Sequence, residues 1–181
     1  MAIVPSFVKP YFLVLALFLC FVPSFCLDRI VRESDICSKH ANAWNCKIIL
    51  NTIPGVSTDG ADLNSLSLYL ISSANVNAFD TITYISNLIK NTTDSQLIQR
   101  YASCSIDYNN VLLTLTHAKD SYKAGNFRDM NNDGWTIVTK VKDCDYKAPD
   151  ASSPLNNQYL EDVAIIIMIL ADFLAGKYFV I

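Results

Sequence analysis

Residues 94–146 read DSQLIQRYASCSIDYNNVLLTLTHAKDSYKAGNFRDMNNDGWTIVTKVKDCDY. Leu97, Tyr101, Cys104, Tyr108, Val111, Leu115, Ala118 and Tyr122 recur at steps of four and three, the stripe that a helix buries against partner helices. Gly125 and Asn126 break the pattern. Phe127, Met130, Gly134, Ile137, Val141 and Cys144 then resume it, so a second helix returns beside the first. Cys104 and Cys144 stand at nearly equal distances on either side of Gly125. Both lie on inward stripes at the same height of two antiparallel helices, which brings their Cα atoms within disulfide range. The spacing therefore predicts that they pair.

Outward from this hairpin, the N-terminus sets the compartment. Lys9 precedes an almost wholly apolar run over residues 11–21, and Ser24-Phe25-Cys26 offers small residues for cleavage, so residues 1–26 read as a secretory signal peptide. The run falls well short of the roughly 20 apolar residues of a membrane span. Of six cysteines, Cys20 and Cys26 leave with the leader. Cys37, Cys46, Cys104 and Cys144 remain, an even set suited to an oxidising compartment. Four cysteines allow three connectivities, and proximity favours Cys37 with Cys46 beside the hairpin pair. In the chain-entropy model the longer loop is worth about 4 kcal/mol and the shorter roughly 3 kcal/mol.

The full chain carries 14 basic against 17 acidic side chains, a net charge of −3. The leader removes one lysine and no acid, leaving the remainder slightly more acidic. No basic stripe suited to phosphate is present, which argues against nucleic-acid binding. Residues 27–181 suffice for one domain with one core. They divide into an N-terminal helical extension at 27–55 and a bundle at 56–181.

Within the extension, two short helical pieces are expected, clipped by the Cys37–Cys46 loop and too short to stand alone. Ile53-Pro54-Gly55 ends this segment. Thr58 or Asp59 is placed to cap a long helix to about Lys90, with Leu63, Leu66, Leu70, Ile82, Ile85 and Ile89 on its apolar side. Its middle, residues 72–80, is poor in apolar residues and reads as kinked or weakly packed. After the hairpin, residues 147–154 hold two prolines and no periodicity, a linker. A last helix begins near Asn156 or Asn157, carries Leu160, Val163, Ile167, Leu170 and Leu174, and stops at Gly176. Its apolar centre is too short to cross a membrane and reads as a core helix. No stretch shows the alternation of a sheet. The fold class is thus all-α: an up-down-up-down four-helix bundle preceded by a disulfide-clipped helical hairpin.

The residues offer little for catalysis. Asp129 to Gly134 matches the opening of a calcium-binding loop, but Lys140 stands where the bidentate Glu belongs, and the segment lies within a helical stripe. His40 and His117 are the only histidines, too few for a zinc site without several carboxylates, and read as structural. Asp143 and Asp145 lack the spacing of a paired acid and base. Tyr101, Tyr108 and Tyr122 fit a core stripe, with hydroxyls at the bundle edge. The reading is a non-enzyme without metal or cofactor. Asn91-Thr92-Thr93 lies at a helix junction and is a candidate glycosylation sequon at Asn91.

Ile36-Cys37-Ser38-Lys39 with Cys46, Arg100-Tyr101-Ala102-Ser103-Cys104-Ser105 with Tyr108, and Ala118-Lys119 leading to Gly125-Asn126-Phe127 resemble the plant invertase and pectin methylesterase inhibitor family. The segment around Cys104 looks closer to the pectin methylesterase inhibitors. The resemblance covers nearly all of the chain after the leader. It implies a secreted, non-enzymatic bundle, the same local disulfide pairing, and a one-to-one complex that covers the active-site cleft of a pectin methylesterase. The surface implied is the solvent side of helices 59–90, 94–124 and 127–146. Invertase inhibitors instead present a Pro-Lys-Phe tripeptide. Here the corresponding connection, Lys123, Asn126, Phe127 and Arg128, keeps the lysine and phenylalanine without the proline, and acid invertase is the alternative partner. A secreted bundle with no enzyme target is the remaining reading. Around the fourth cysteine, Trp135 is too large for a small-residue packing position and is expected to point outward.

Overall fold

The computed structural model describes residues 29–56, 59–148 and 154–178. The leader expected at 1–26 and most of the proline-bearing linker lie outside the described residues. The elements run β1 (Ile30–Val31), α1 (Glu33–Cys37), α2 (Ala43–Asn51), β2 (Ala61–Asp62), α3 (Leu63–Asn91), α4 (Ser95–Lys123), α5 (Phe127–Lys147) and α6 (Pro154–Leu174). Helices α3 to α6 form the bundle, each packed on its sequence neighbour, with α3 and α6 closing the ring.

Side-chain caps explain where several helices begin. Asn42, Asp62, Asp94 and Asn126 each accept a backbone N–H of the first turn of α2, α3, α4 and α5, satisfying donors the helix itself cannot. Helix α3 starts at Leu63, not at 58 or 59 as the sequence alone indicated. Gly60, at φ 80°, turns the chain, and Ala61 and Asp62 are drawn into an antiparallel ladder with Val31 and Ile30. A Cβ at Gly60 would meet the Ile30 side chain at 2.7 Å and the Val31 carbonyl oxygen at 2.9 Å. This ladder was missed because two residues are too few to show alternation. Helix α3 runs through residues 72–80 as part of one continuous helix. The last helix begins at Pro154, two residues ahead of the expected start, proline being well suited to a first helical position.

Two disulfides hold the fold: Cys37–Cys46, with Cα atoms 5.5 Å apart, clips α1 to α2. Cys104–Cys144, at 4.6 Å, joins α4 to α5. The antiparallel register is pinned along its length: Tyr122 at the end of α4 donates to Asn64 at the start of α3, 3.2 Å. Asn131 of α5 donates to the Met168 carbonyl of α6, 3.0 Å. Gly134 lets α5 approach α6, since a Cβ there would strike the Met168 side chain and sit 3.0 Å from the Ala164 carbonyl oxygen.

The core is mainly aliphatic, from Leu63, Leu70, Ile85, Val111, Leu115, Ile137, Val141, Leu160, Ile166 and Leu170. One polar thread crosses it. The Tyr108 hydroxyl donates to Asn157 Oδ1, the Asn157 amide donates to Asp145, and the Thr81 side chain lies beside the phenol. These residues come from α4, α6, α5 and α3, so all four bundle helices meet at one phenol. Its hydroxyl is therefore buried, not at the bundle edge. Burial, with Asp145 adding to it, pushes the Tyr108 pKa well above the ordinary phenol value.

The N-terminal hairpin leans on α6. His40 Nδ1 accepts the Asn42 N–H at 3.0 Å, which leaves Nε2 to donate to the Asp162 carbonyl at 3.3 Å. Asn45 donates to the Asp162 carboxylate at 2.9 Å, and Arg29 reaches the last carbonyls of α6, at Phe173 and Leu174.

Candidate protein-binding face

A helix in a bundle buries one stripe and shows the opposite one to water, where charged residues normally collect. Helix α3 departs from this. Its 29 residues include only two charged side chains, Asp80 and Lys90, and it exposes Leu68, Tyr69, Val76, Phe79 and Tyr84. Phe79 is 60% exposed and Val76 59%. Alongside, α4 exposes Ile106 and Leu113, seven residues apart and hence on one side of the helix. Helix α5 adds Trp135, 61% exposed, and Tyr146, so Trp135 does point outward. Single exposed apolar residues are ordinary, but a run of them across adjacent helices marks an interaction surface.

Charge is gathered in the seam between α4 and α5. Asp107, buried on α4, accepts from Lys147 at 2.8 Å and Lys140 at 3.4 Å of α5. Its hydrogen bond raises the Lys147 pKa above the usual lysine value. Lys140 thus serves an ion pair, and Asp129 to Gly134 are helical, with Asp133 committed to His117. His117 Nδ1 lies 2.8 Å from Asp133 Oδ2. That hydrogen bond and the carboxylate charge raise the His117 pKa. Burial pushes Asp133 up in turn, against the opposing pull of His117.

The α4–α5 connection is largely occupied with holding the turn. Asn126 caps α5 and donates to Asp129 at 2.5 Å. Phe127 is half-buried with its ring 6.5 Å from that of Tyr122. Lys123 pairs with Asp120 at 3.4 Å, and Arg128 is exposed. Asn91, the last residue of α3, is also exposed. Sequence reasoning pointed to the solvent side of these helices without naming Leu68, Tyr69, Val76 and Phe79. Their signal was present: apolar residues off the core stripe in a helix almost without charge.

Among the described residues no group of three or more His, Cys, Asp or Glu is arranged to hold a metal ion, and no helix is long and apolar enough to cross a membrane.

No family model matches the chain. Among curated proteins it is similar to Pectinesterase inhibitor 2 of Arabidopsis thaliana, 25% identical over 144 residues, covering 77% of this chain and 82% of that protein. Pectinesterase inhibitor of Actinidia deliciosa is 26% identical over 149 residues, covering 80% of each. Two solved structures share the fold. One is a mutant form of a pectin methylesterase inhibitor from Arabidopsis, with TM-score 0.68 and 21% identity over 77% of this chain and 95% of the other. The second is a pectin methylesterase inhibitor from Arabidopsis thaliana, with TM-score 0.59 and 19% identity over 78% and 95%. With relatives along most of its length and a helical bundle shared with solved structures, the chain is similar to the pectin methylesterase inhibitors.

Proposed function

We propose that the protein is a secreted, non-catalytic inhibitor that binds a pectin methylesterase one-to-one and occludes its active-site cleft with the outer faces of α3, α4 and α5. The observation that carries this reading is the exposed, nearly uncharged face of α3, with Ile106 and Leu113 also exposed on the adjacent α4 and Trp135 on α5. Helix α3 is roughly 43 Å long at about 1.5 Å per residue. Two adjacent helices about 9 Å apart, each about 10 Å across, make a face roughly 20 Å wide. Their product is on the order of the 800 Å² per partner of a stable complex. Exposed aromatic side chains supply the anchors such interfaces use. Inhibition by coverage needs no nucleophile, acid or metal. The leader at 1–26 would deliver the chain to the wall, and Asn91 would accept a glycan at the end of α3.

The test is inhibition of a plant pectin methylesterase and an acid invertase side by side, using oxidised protein without its leader. Inhibition of the esterase alone is expected. Inhibition of invertase alone would move the site to Lys123, Asn126, Phe127 and Arg128. Inhibition of neither, with both disulfides verified, would leave the non-inhibitory bundle.

A further inference from the structure

Opposite its core stripe, α5 carries a second line of residues at steps of four and three: Arg128, Asn132, Trp135, Thr139, Lys142 and Tyr146. All six are exposed, Tyr146 at 91%. At about 1.5 Å per residue the line is about 27 Å long. It holds no acid, in a chain whose net charge is −3. The acids beside it have partners within the protein. Asp129 accepts from the Asn126 amide, Asp143 pairs with Lys140 at 3.8 Å, Asp145 accepts from the Asn157 amide, and Glu161 of α6 pairs with Lys142 at 2.9 Å. Arg128, by contrast, makes no ion pair among the described residues. Nor does Arg100, which lies beside Tyr146 and Lys147 where α4 begins and α5 ends. Two unpaired guanidiniums thus bracket the line.

The chemistry of the line limits what it would bind. Trp135 and Tyr146 supply flat apolar rings of the kind that pack on the C–H face of a pyranose. Asn132 and Thr139 between them both donate and accept hydrogen bonds, as sugar hydroxyls require. A guanidinium takes a carboxylate through two parallel hydrogen bonds. The free charges are sparse, standing only at the two ends. A single-stranded nucleic acid carries a phosphate at every nucleotide and calls for a continuous cationic track, so most of its charge would go unneutralised on this acidic protein. A linear polyuronate whose carboxylates are interspersed with esterified, uncharged units has the matching distribution: charge at intervals, with flat rings and hydroxyls between. Helix α5 packs on α4 and α6, diagonally across the ring from α3, so a partner seated on α3 and α4 leaves the line in solution.

We propose that the outer line of α5 binds a linear, partly esterified uronate polysaccharide, with Trp135 and Tyr146 packing on its rings and Arg128 and Arg100 holding two of its carboxylates. The test contains no esterase, so its outcome is separate from that of the inhibition assay. It is an amide-shift titration of the isotope-labelled, oxidised protein with galacturonate octamers that are partly, fully or not methyl-esterified, and with poly(U). Shifts confined to residues 128–146 and the surroundings of Arg100 are expected with the partly esterified octamer, which should bind at least as tightly as the unesterified one and more tightly than the fully esterified one. Trp135→Ala should weaken that binding about tenfold. Arg128→Gln should weaken it and flatten its salt dependence. Both positions are exposed, so the melting temperature should hold. Absence of shifts with the partly esterified octamer, equal binding of the fully esterified one, affinity that rises with charge through the unesterified octamer to poly(U), or binding undiminished in both folded variants would each overturn it. Shifts of the same amides with protein concentration alone would assign the line to a second copy of the chain instead.

Discussion

Tyr108 anchors a polar thread that draws on all four bundle helices, and removing its hydroxyl tests whether the thread stabilises the bundle. In Tyr108→Phe, Asn157 Oδ1 loses its donor in a site where Asn157 is only 1% exposed. An unsatisfied buried acceptor costs about 1–3 kcal/mol, so urea unfolding should show a loss of that size, and an unchanged midpoint would show that the thread is neutral. At His117 the outcome is a titration. Its folded pKa is raised by Asp133 above the unfolded value of about 6.5. The folded protein therefore holds this proton more tightly, and the associated stability is fully present below that unfolded value and lost as pH rises through the raised one. Asp133 acts in the same direction, because its raised pKa also favours the protonated folded form. Imidazole proton shifts should place the His117 midpoint above the ordinary value, and Asp133→Asn should return it towards about 6.5. A midpoint unmoved by that substitution would dissociate the pair. The sequence marked both tyrosine stripe and histidine but not their partners, since Asn157 lies 49 residues from Tyr108 and Asp133 lies 16 from His117.

Among the elements, α4 and α5 were the most legible, because long amphipathic periods and capping residues coincide. Asp94 accepts from the Gln96 and Leu97 amides at 2.8 and 3.3 Å, and Asn126 caps the return helix. The disulfide between them was legible for the same reason: two buried stripes of known register place Cys104 and Cys144 at one height. Replacing both with serine frees a 40-residue separation. The expected loss is about 4 kcal/mol, read as a lower denaturation midpoint, with no loss arguing that the hairpin is already ordered in the unfolded chain. Helix α3 was less legible. Its start depends on a ladder with residues 30 and 31, a contact whose geometry no local period encodes. Its middle looked weak from composition. The structure shows the consequence as a groove beside a continuous helix, because helical hydrogen bonding does not require apolar side chains at every turn.

At the scale of the whole molecule, the outer face of α3 carries the proposed function, and charge is its test. Val76→Asp with Phe79→Asp places two carboxylates on an exposed surface, where stability should change by less than about 0.5 kcal/mol per site. Affinity for pectin methylesterase should fall at least about tenfold if Phe79 is an anchor. Undiminished inhibition by the folded double variant would move the interface off α3. What the sequence by itself determined is whatever local chemistry encodes: helix periods, caps, the Gly125 break, the paired cysteines, and a charge balance that argues against nucleic-acid binding. Only the tertiary structure decided which polar groups meet across the core, how Ile30 and Val31 delay the start of α3, and which apolar residues remain in water. Those outcomes depend on long-range packing, because whether a side chain is buried is set by the helix that comes to lie against it and not by its neighbours in sequence.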